Sequence, residues 1–351
     1  MRKVAEDFEL DPPPWLIDNW FPLGHRGMDT APEGSFKTIL GCWFAVCIAS
    51  GSPIFGNPVL QGNVLIVDEE TPEISLDYNL ERFSQGLGFR YSDLPIYKSS
   101  MVGFRFGRKV ELSKLVSLIK AVEPVFIRMD SLLAMLPGGR QSISENDCHL
   151  GETVRDDLSR ILPPNCSLLL AAHSKKFVSE LTLEDLPQYA MQSLVRGHGS
   201  IVGEGCDTGY ILKKISEHPE PTRFCIITKV RRQAIPSSKI RYIEMVEQNY
   251  GEGWARLEEI PARKIPPSKE AKEIFPLFNT ADGKGNYNHS SQWILRTMAF
   301  HGKRYCRNGT EELLRRKAIV QTAPQNYEIN EKRGSQCDPD YLRMLEMSNT
   351  G

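Results

Sequence analysis

Ala31-Pro32-Glu33-Gly34-Ser35-Phe36-Lys37-Thr38 stands directly before an apolar, helix-like run from residue 39 to residue 50. The Lys-Thr end follows the phosphate-binding pattern G-x-x-x-x-G-K-[ST], while Ala31 and Phe36 replace the two signature glycines. Backbone N–H groups at the start of a helix can face a phosphate, supported by the helix dipole. The stretch therefore predicts a nucleotide site. The alternative is a Gly-Ser turn that caps an ordinary helix.

The predicted nucleotide-binding residues are consecutive and comprise Glu33, Gly34, Ser35, Phe36, Lys37 and Thr38. In such a loop the lysine reaches the β- and γ-phosphates, and the hydroxyl of the last residue holds Mg²⁺. We therefore expect ATP and Mg²⁺ as cofactors.

Composition indicates a cytoplasmic globular protein. A chain of 351 residues with 40% hydrophobic and 25% charged residues is long enough for two domains. Its eight cysteines form no C-x-x-C pair, which favours reduced thiols over disulfides or a zinc site. The N-terminus lacks a signal-like apolar segment, and no run of 18 apolar residues predicts a membrane span.

Three short apolar runs, residues 63–68, 125–130 and 167–173, are typical of strands buried on both faces. Amphipathic helices are predicted between them, at residues 73–87, 112–122 and 152–162. This alternation predicts a doubly wound α/β core with a largely parallel sheet. Further short strands are expected at 95–97 and 103–106. Strands at 207–213, 223–229 and 239–245 would extend one edge of the sheet in antiparallel fashion.

The predicted domain organisation has five parts. Residues 1–29 are an N-terminal lead-in over one edge of the core, 30–259 the core domain, 260–268 a Pro-rich linker, 269–335 a second module and 336–351 a flexible tail. Helices followed by a hairpin-like tail predict a winged helix in the second module. Residues 261–335 contain 14 Lys and Arg against 7 Asp and Glu. This excess suits a DNA backbone, although protein docking is an alternative.

Carboxylates follow two of the predicted strands. Asp130 would bind Mg²⁺ together with Thr38, the alternative being a strand-end cap. In Asp68-Glu69-Glu70, we favour Glu70 as the base that activates water, with Glu69 as its competitor; a solvated loop is the other possibility.

Other polar residues are candidates for sensing or stabilising the phosphate. His173 ends the third apolar run and would sense the γ-phosphate or the attacking water, unless it is a structural histidine. Lys229 and Arg231 would enter a neighbouring subunit's nucleotide site as a finger, unless they form an exposed basic turn. Residues 196–200 form a Gly-rich basic loop that would contact nucleic acid or simply connect two elements.

Taken in order, these motifs resemble the RecA-like P-loop ATPases of the RepA hexameric replicative helicase type, in their phage and mobile-element form. The matching stretches, over roughly residues 14–250, are the phosphate loop and residues 64–70, 126–131, 144–147, 169–175, 195–201 with Asp207, and 228–231. The resemblance implies a hexamer that threads single-stranded DNA, and it assigns the roles named above.

Some residues depart from the family pattern. Two loop glycines are replaced, one histidine stands where many relatives have two, and Arg128 lies inside an apolar run, where an edge position is expected.

The function expected from these features is an Mg²⁺-dependent ATPase coupled to DNA, in the form of a ring helicase. A DNA-binding replication or regulatory protein that ATP switches with little turnover is the alternative. A small-molecule kinase is disfavoured, because it would leave the basic module without a purpose.

Overall fold

The structure is a computed structural model of the 351-residue chain. It describes residues 14–136, 148–181, 206–216, 220–230, 240–248 and 253–262, and shorter pieces at 186, 189, 191–195, 265, 269–274, 277, 289–290, 294, 298, 309–310, 312–314, 319–323 and 326–329. The chain divides into two compact units, Met1–Glu259 and Ile260–Gly351.

Strands and helices alternate in the first unit. In chain order they are β1 (Trp15–Ile17), β2 (Phe21–Pro22), β3 (Arg26–Ala31), α1 (Lys37–Ser50), β4 (Val64–Asp68), α2 (Glu73–Gly86), β5 (Ile96–Ser100), α3 (Lys109–Val122), β6 (Phe126–Asp130), α4 (Leu132–Met135), α5 (Cys148–Ile161), β7 (Ser167–His173), α6 (Met191–Leu194), β8 (Thr208–Ser216), β9 (Arg223–Val230), β10 (Ile240–Glu247) and β11 (Ala255–Ile260).

Nine strands of the described residues form one sheet in the order β11-β10-β9-β8-β3-β7-β6-β4-β5. The six strands from β8 to β5 pair in parallel, whereas β9 pairs antiparallel with both β8 and β10. The fold is therefore α/β with a mostly parallel sheet, as predicted. The antiparallel extension is confirmed for β9 and β10, but β8 runs parallel to β3.

Two apolar cores lie on opposite faces of this sheet, because successive side chains of a strand point to opposite sides. On β4, Val64 and Ile66 pack with helices α1 and α2, while Leu65 and Val67 pack with α3 and α5. Burial on both faces explains why β4, β6 and β7 are continuous apolar runs rather than alternating ones.

Most predicted elements of the core are confirmed, whereas one predicted strand is wrong and strands β1, β2, β3 and β11 were not predicted. The predicted strand at residues 103–106 is wrong: this segment is irregular, with the Phe104 and Phe106 side chains buried against the α3 face. Strand β3 was not predicted, yet it lies in the middle of the sheet between β8 and β7. Its sequence, RGMDTA, mixes a charge, a glycine and an acid, and so lacks the apolar pattern of a buried strand.

The second unit contains α7 (Lys269–Ile274) and a three-stranded sheet of β12 (His289–Ser290), β13 (Ile319–Ala323) and β14 (Asn326–Ile329). The predicted hairpin is confirmed, since β13 and β14 pair antiparallel. The described pieces do not support a complete winged helix, which stays a prediction.

Five cysteines of the described residues are buried free thiols, as expected: Cys42, Cys47, Cys166, Cys206 and Cys225. None of the helices in the described part of the chain has both the length and the apolar character needed to cross a bilayer.

Candidate active site

Four parallel strands end at one edge of the sheet and bring the candidate residues together. The loop of residues 32–36 follows β3, while Asp68, Asp130 and His173 are the last residues of β4, β6 and β7. Ligands of open α/β sheets bind at this carboxyl edge. A cavity of about 540 Å³ opens here. It is lined by Glu33, Gly34, Ser35, Phe36, Lys37, Thr38, Ile39, Glu70, Thr71, Asp130 and His173.

The loop that follows β3 turns through two left-handed residues before helix α1 begins at Lys37. Gly34 has φ 71°, which glycine adopts without strain, and Phe36 has φ 63°. No side chain caps the start of α1, so its first backbone N–H groups remain available for an anion. The loop therefore has the backbone geometry that phosphate binding requires.

Phe36 stands where the phosphate-binding pattern has its second glycine. A left-handed conformation costs a non-glycine residue about 1 kcal/mol. Its ring stacks on that of Phe224, a completely buried residue of β9, and packs against the α1 core. This contact anchors the loop to the sheet and offsets the strain.

Lys37 folds back over its own loop. Its Nζ atom donates to the backbone carbonyl oxygens of Ala31 and Pro32 at 3.4 Å each, which is long for a hydrogen bond. Burial lowers the pKa of Lys37, while the carboxylates of Asp29, Asp130 and Glu70 act in the opposite direction. A buried ammonium with only weak partners is suited to meet an anionic ligand.

Thr38 and Asp130 lie in hydrogen-bond contact, as the predicted Mg²⁺ pair requires. The Thr38 hydroxyl donates to Asp130 Oδ2 at 3.0 Å. A hydroxyl and a carboxylate are hard oxygen ligands of the kind that Mg²⁺ prefers, usually completed by water and substrate phosphates. The described residues contain no cluster of three or more metal-ligating side chains, so an all-protein metal cage is not seen among them. The donor set thus fits Mg²⁺ bound together with a nucleotide.

Arg128 does not lie at a sheet edge, so that expectation is wrong. It is 2% exposed on β6, which lies between β7 and β4. Its guanidinium forms an ion pair with the completely buried Asp29 of β3. The charge is tolerated inside an apolar strand because Asp29 compensates it.

The two competing glutamates after β4 have different surroundings. Glu69 is bound, because its carboxylate accepts the backbone N–H groups of Gly103 and Phe104 at 2.9 and 3.0 Å and lies 3.5 Å from Arg105. Glu70 instead lines the cavity. This difference favours Glu70 over Glu69 as the residue that meets a reacting water.

Asp68 organises the backbone at the end of β4. Its Oδ1 atom accepts the N–H groups of Glu70 and Thr71 at 2.9 and 2.7 Å. Burial, together with the charge of Asp130, raises the pKa of Asp68 to about 6. The carboxylate thus holds the turn that presents Glu70 to the cavity.

His173 lies beside Glu70 in the cavity wall. Its Nε2 atom is 3.5 Å from Glu70 Oε2, while its buried Nδ1 atom has no hydrogen-bond partner. The imidazole ring can therefore form a further hydrogen bond through Nδ1, for example with a ligand.

Residues 3–177 match the sequence model of a family described as AAA domain. This part of the chain is similar to that family. The match contains every residue that lines the cavity.

The other comparisons add little to this family match. Among curated proteins, none matches the chain. Among solved structures, a KaiC-like protein from the hyperthermophilic archaeon Pyrococcus horikoshii OT3 is similar at 16% identity, over 70% of this chain and 94% of that one, with a TM-score of 0.45. A similarity of this size decides neither fold nor function.

Lys229 lies outside the family match and is not among the residues that line the cavity. Lys229 is level with Gly209 of β8, which is level with Met28 of β3, three residues before β3 ends at Ala31. Lys229 is thus two strands away from β3 and about 10 Å back from the carboxyl edge. Arg231 falls outside the described residues.

The candidate site also includes residues that the sequence pattern did not indicate. Thr71 and Ile39 line the cavity, and Asp29 supports it from beneath. A charged residue within an apolar strand needs a buried partner of opposite charge. The presence of Arg128 in an apolar run could therefore have predicted a buried acid such as Asp29.

Proposed function

We propose that the chain hydrolyses ATP with Mg²⁺ and couples hydrolysis to single-stranded DNA, as a ring-forming cytoplasmic helicase of the RepA type. The observation that carries the ATPase is the convergence of the loop, Lys37, the Thr38–Asp130 pair and Glu70 on one cavity. The same cavity argues against a passive loop, because a helix-capping turn would not require these carboxylates beside it.

Each residue has a distinct task in this proposal. The loop N–H groups and Lys37 bind the phosphates, while Thr38 and Asp130 hold Mg²⁺, which neutralises phosphate charge when bound. Glu70 orients the attacking water and accepts its proton, and the nearby His173 senses the γ-phosphate. Positioning and electrostatics of this kind supply most of the catalysis in phosphoryl transfer.

A finger from a neighbouring copy completes the proposed site. Lys229 is absent from the cavity lining of its own chain, and Arg231 follows it by two residues. A lysine outside the cavity lining of its own chain supports a role across a subunit interface, as in a hexamer. Burial lowers the pKa of Lys229, which is typical of an ammonium that is incompletely solvated.

DNA coupling rests on charge. Residues 261–335 contain 14 Lys and Arg against 7 Asp and Glu in a protein of net charge −1. Such local asymmetry supports contact with a phosphate backbone, including through a winged helix.

The second candidate is an ATP-switched DNA-binding protein with little turnover. The observation that favours it is Phe36 in a left-handed conformation, since a bulky, anchored residue at this point restrains the loop. A restrained loop binds nucleotide without necessarily supporting rapid hydrolysis.

ATP hydrolysis with and without single-stranded DNA tests the proposal. Wild type is compared with Lys37→Ala and with Lys114→Ala, which removes an exposed lysine of α3 as the matched control. A DNA-stimulated rate that falls at least 100-fold in Lys37→Ala and persists in Lys114→Ala is expected. ATP binding without hydrolysis would favour the ATP-switched DNA-binding protein. If the wild-type protein does not bind ATP, both candidate functions are excluded.

A further inference from the structure

Arg128 is a buried cation beneath the cavity and does not line it. Placing a guanidinium in a sheet interior carries a desolvation penalty of several kcal/mol, which only well-arranged partners offset. The atoms that its NH1 and NH2 groups contact therefore indicate the role of Arg128.

One guanidinium connects three parts of the site. Its NH1 and NH2 atoms pair with both carboxylate oxygens of Asp29, NH2 lying 3.1 Å from Asp29 Oδ2. The NH2 atom is also 3.3 Å from the carbonyl oxygen of Lys37 and 3.3 Å from Asp130 Oδ2. Strand β3, the first residue of α1 and the end of β6 thus share one bridging group.

Small residues make room for this bridge. Asp29 and Arg128 are on the two strands that flank β7, where the residue level with Asp29 is Ala171. On the helix above, a Cβ atom at Gly41 would lie 2.6 Å from Arg128 Nε. Glycine in a helix interior lowers stability by about 0.5–1 kcal/mol relative to alanine, so Gly41 is explained by the space that Arg128 occupies.

We propose that Arg128 is a positioning residue for the Mg²⁺ carboxylate. Held by Asp29, it fixes the orientation of Asp130 relative to Thr38 and to the start of α1. This role rests on the proposed function, because it presumes that Thr38 and Asp130 hold Mg²⁺.

The hydrogen bonds of Asp130 support this role. Its Oδ2 atom accepts both the Thr38 hydroxyl and Arg128 NH2, and neither contact uses Oδ1. Two donors on one oxygen define the orientation of the carboxylate. The Asp29–Arg128 pair is neutral as a unit, so it orients Asp130 without adding net positive charge beside a cation site. Groups that orient a metal ligand typically affect metal affinity 10–100-fold.

A charge-neutral double variant, Asp29→Leu with Arg128→Met, tests the role. Replacing both members of a buried pair by apolar residues avoids leaving a charge unpaired, and such replacements are often tolerated. Binding of a fluorescent ATP analogue is measured in EDTA and at increasing MgCl₂. We expect nucleotide affinity in EDTA within about twofold of wild type and a roughly tenfold higher half-saturating Mg²⁺ concentration.

The matched control removes another ion pair, Arg223–Glu244, which joins β9 and β10 away from the cavity. The double variant Arg223→Met with Glu244→Leu should leave the Mg²⁺ requirement unchanged. Arg128→Lys is a second test that retains the charge. A single ammonium cannot reproduce the bidentate contact with Asp29 together with the contact to Asp130, so the Mg²⁺ requirement should rise here as well.

The outcomes separate the two proposals. Suppose that wild type binds the analogue in MgCl₂ and that both Arg128 variants have the same half-saturating Mg²⁺ concentration as wild type. The positioning role is then wrong, and the proposed function stands. Equal losses of affinity in EDTA and in MgCl₂ would also contradict it, because they indicate general damage to the loop. If the double variant does not fold, Arg128→Lys decides alone. No nucleotide binding by wild type would overturn the proposed function and the positioning role together.

Discussion

Phe36 stacks on Phe224 with the ring centroids 5.2 Å apart and the ring planes 21° from parallel. The first residue belongs to the phosphate loop and the second to β9, so an aromatic contact ties the loop to the sheet. Phe36 combines this contact with a φ of 63°, where a glycine would stand without strain. At the second glycine position of the phosphate-binding pattern, Phe36 thus introduces backbone strain but adds a packing contact with Phe224.

Substitutions at Phe36 separate strain from packing. Phe36→Gly should lower the free energy of unfolding by about 1–2 kcal/mol, because the ring contact is lost but the backbone strain is relieved. ATP affinity should stay within about threefold of wild type, since the loop keeps its backbone path. Phe36→Ala, the comparison, loses the ring and retains the strain, so it should be about 1 kcal/mol less stable than Phe36→Gly. Urea unfolding and analogue binding measure both; equal stabilities would rule out backbone strain at this position.

Glu70→Gln should reduce ATP hydrolysis at least 100-fold while nucleotide binding persists, because the amide cannot accept a proton from water. Single-turnover hydrolysis and analogue binding give the two quantities. Glu69→Gln is the matched control. It weakens the carboxylate that accepts the Gly103 and Phe104 N–H groups, so about 1–2 kcal/mol of stability should be lost with a smaller effect on the rate. A larger rate loss in Glu69→Gln would transfer the catalytic role to Glu69.

Asp68 should make stability depend on pH. Its folded-state pKa of about 6 lies above its ordinary value of 3.8, so the folded chain binds this proton more tightly than the unfolded chain. The associated stability is complete below pH 3.8 and is lost as the pH rises through about 6. Asp68→Asn keeps an acceptor for the Glu70 and Thr71 N–H groups and carries no charge.

At pH 8 without Mg²⁺, Asp68→Asn should therefore be more stable than wild type by up to about 3 kcal/mol. The difference should shrink as the pH falls from 6 towards 4. Urea unfolding across this range measures it, and Asp156→Asn, at an exposed position on α5, should show no such trend. A difference that stays constant with pH would contradict the raised pKa.

Gly41→Ala should destabilise the protein by about 1–3 kcal/mol, against the usual gain of alanine over glycine in a helix. The reason is the 2.6 Å approach of the new Cβ atom to Arg128 Nε. In the background of Asp29→Leu with Arg128→Met, the same substitution should cost less, because the methionine side chain is flexible. Thermal unfolding of the four proteins gives the coupling. Purely additive effects would show that Gly41 and Arg128 do not interact.

Sequence patterns predicted the structure correctly where the local sequence alone determines it, as in buried apolar strands and the polar residues at their ends. The apolar runs of β4, β6 and β7 predicted buried parallel strands, and the strand-end positions of Asp130 and His173 placed both at the carboxyl edge. The structure brings them into one cavity with the phosphate loop. Their roles in binding and catalysis stay predictions.

Sequence patterns did not predict the structure where a residue is held by a contact with a residue far away in the sequence. Strand β3 has Asp29 at a position that is completely buried, so its periodicity is hidden until the partner Arg128 is known. Phe104 and Phe106 suggested a strand, yet their segment is held by α3-face packing and by Glu69 rather than by a ladder. Neither relationship has a local sequence signature.

The position of β3 between β7 and β8 has a consequence for the nascent chain. Both neighbours are synthesised more than 100 residues after β3. During translation, the strand that leads into the phosphate loop must therefore wait for much of the first unit before it can enter the sheet. Until then Met28 and Ala31 lack their burial and Asp29 has no guanidinium beside it. Such long-range pairing is slow to form and leaves apolar surface exposed in the meantime. On this topology, the proposed nucleotide site can form only after β7 and β8 have been synthesised.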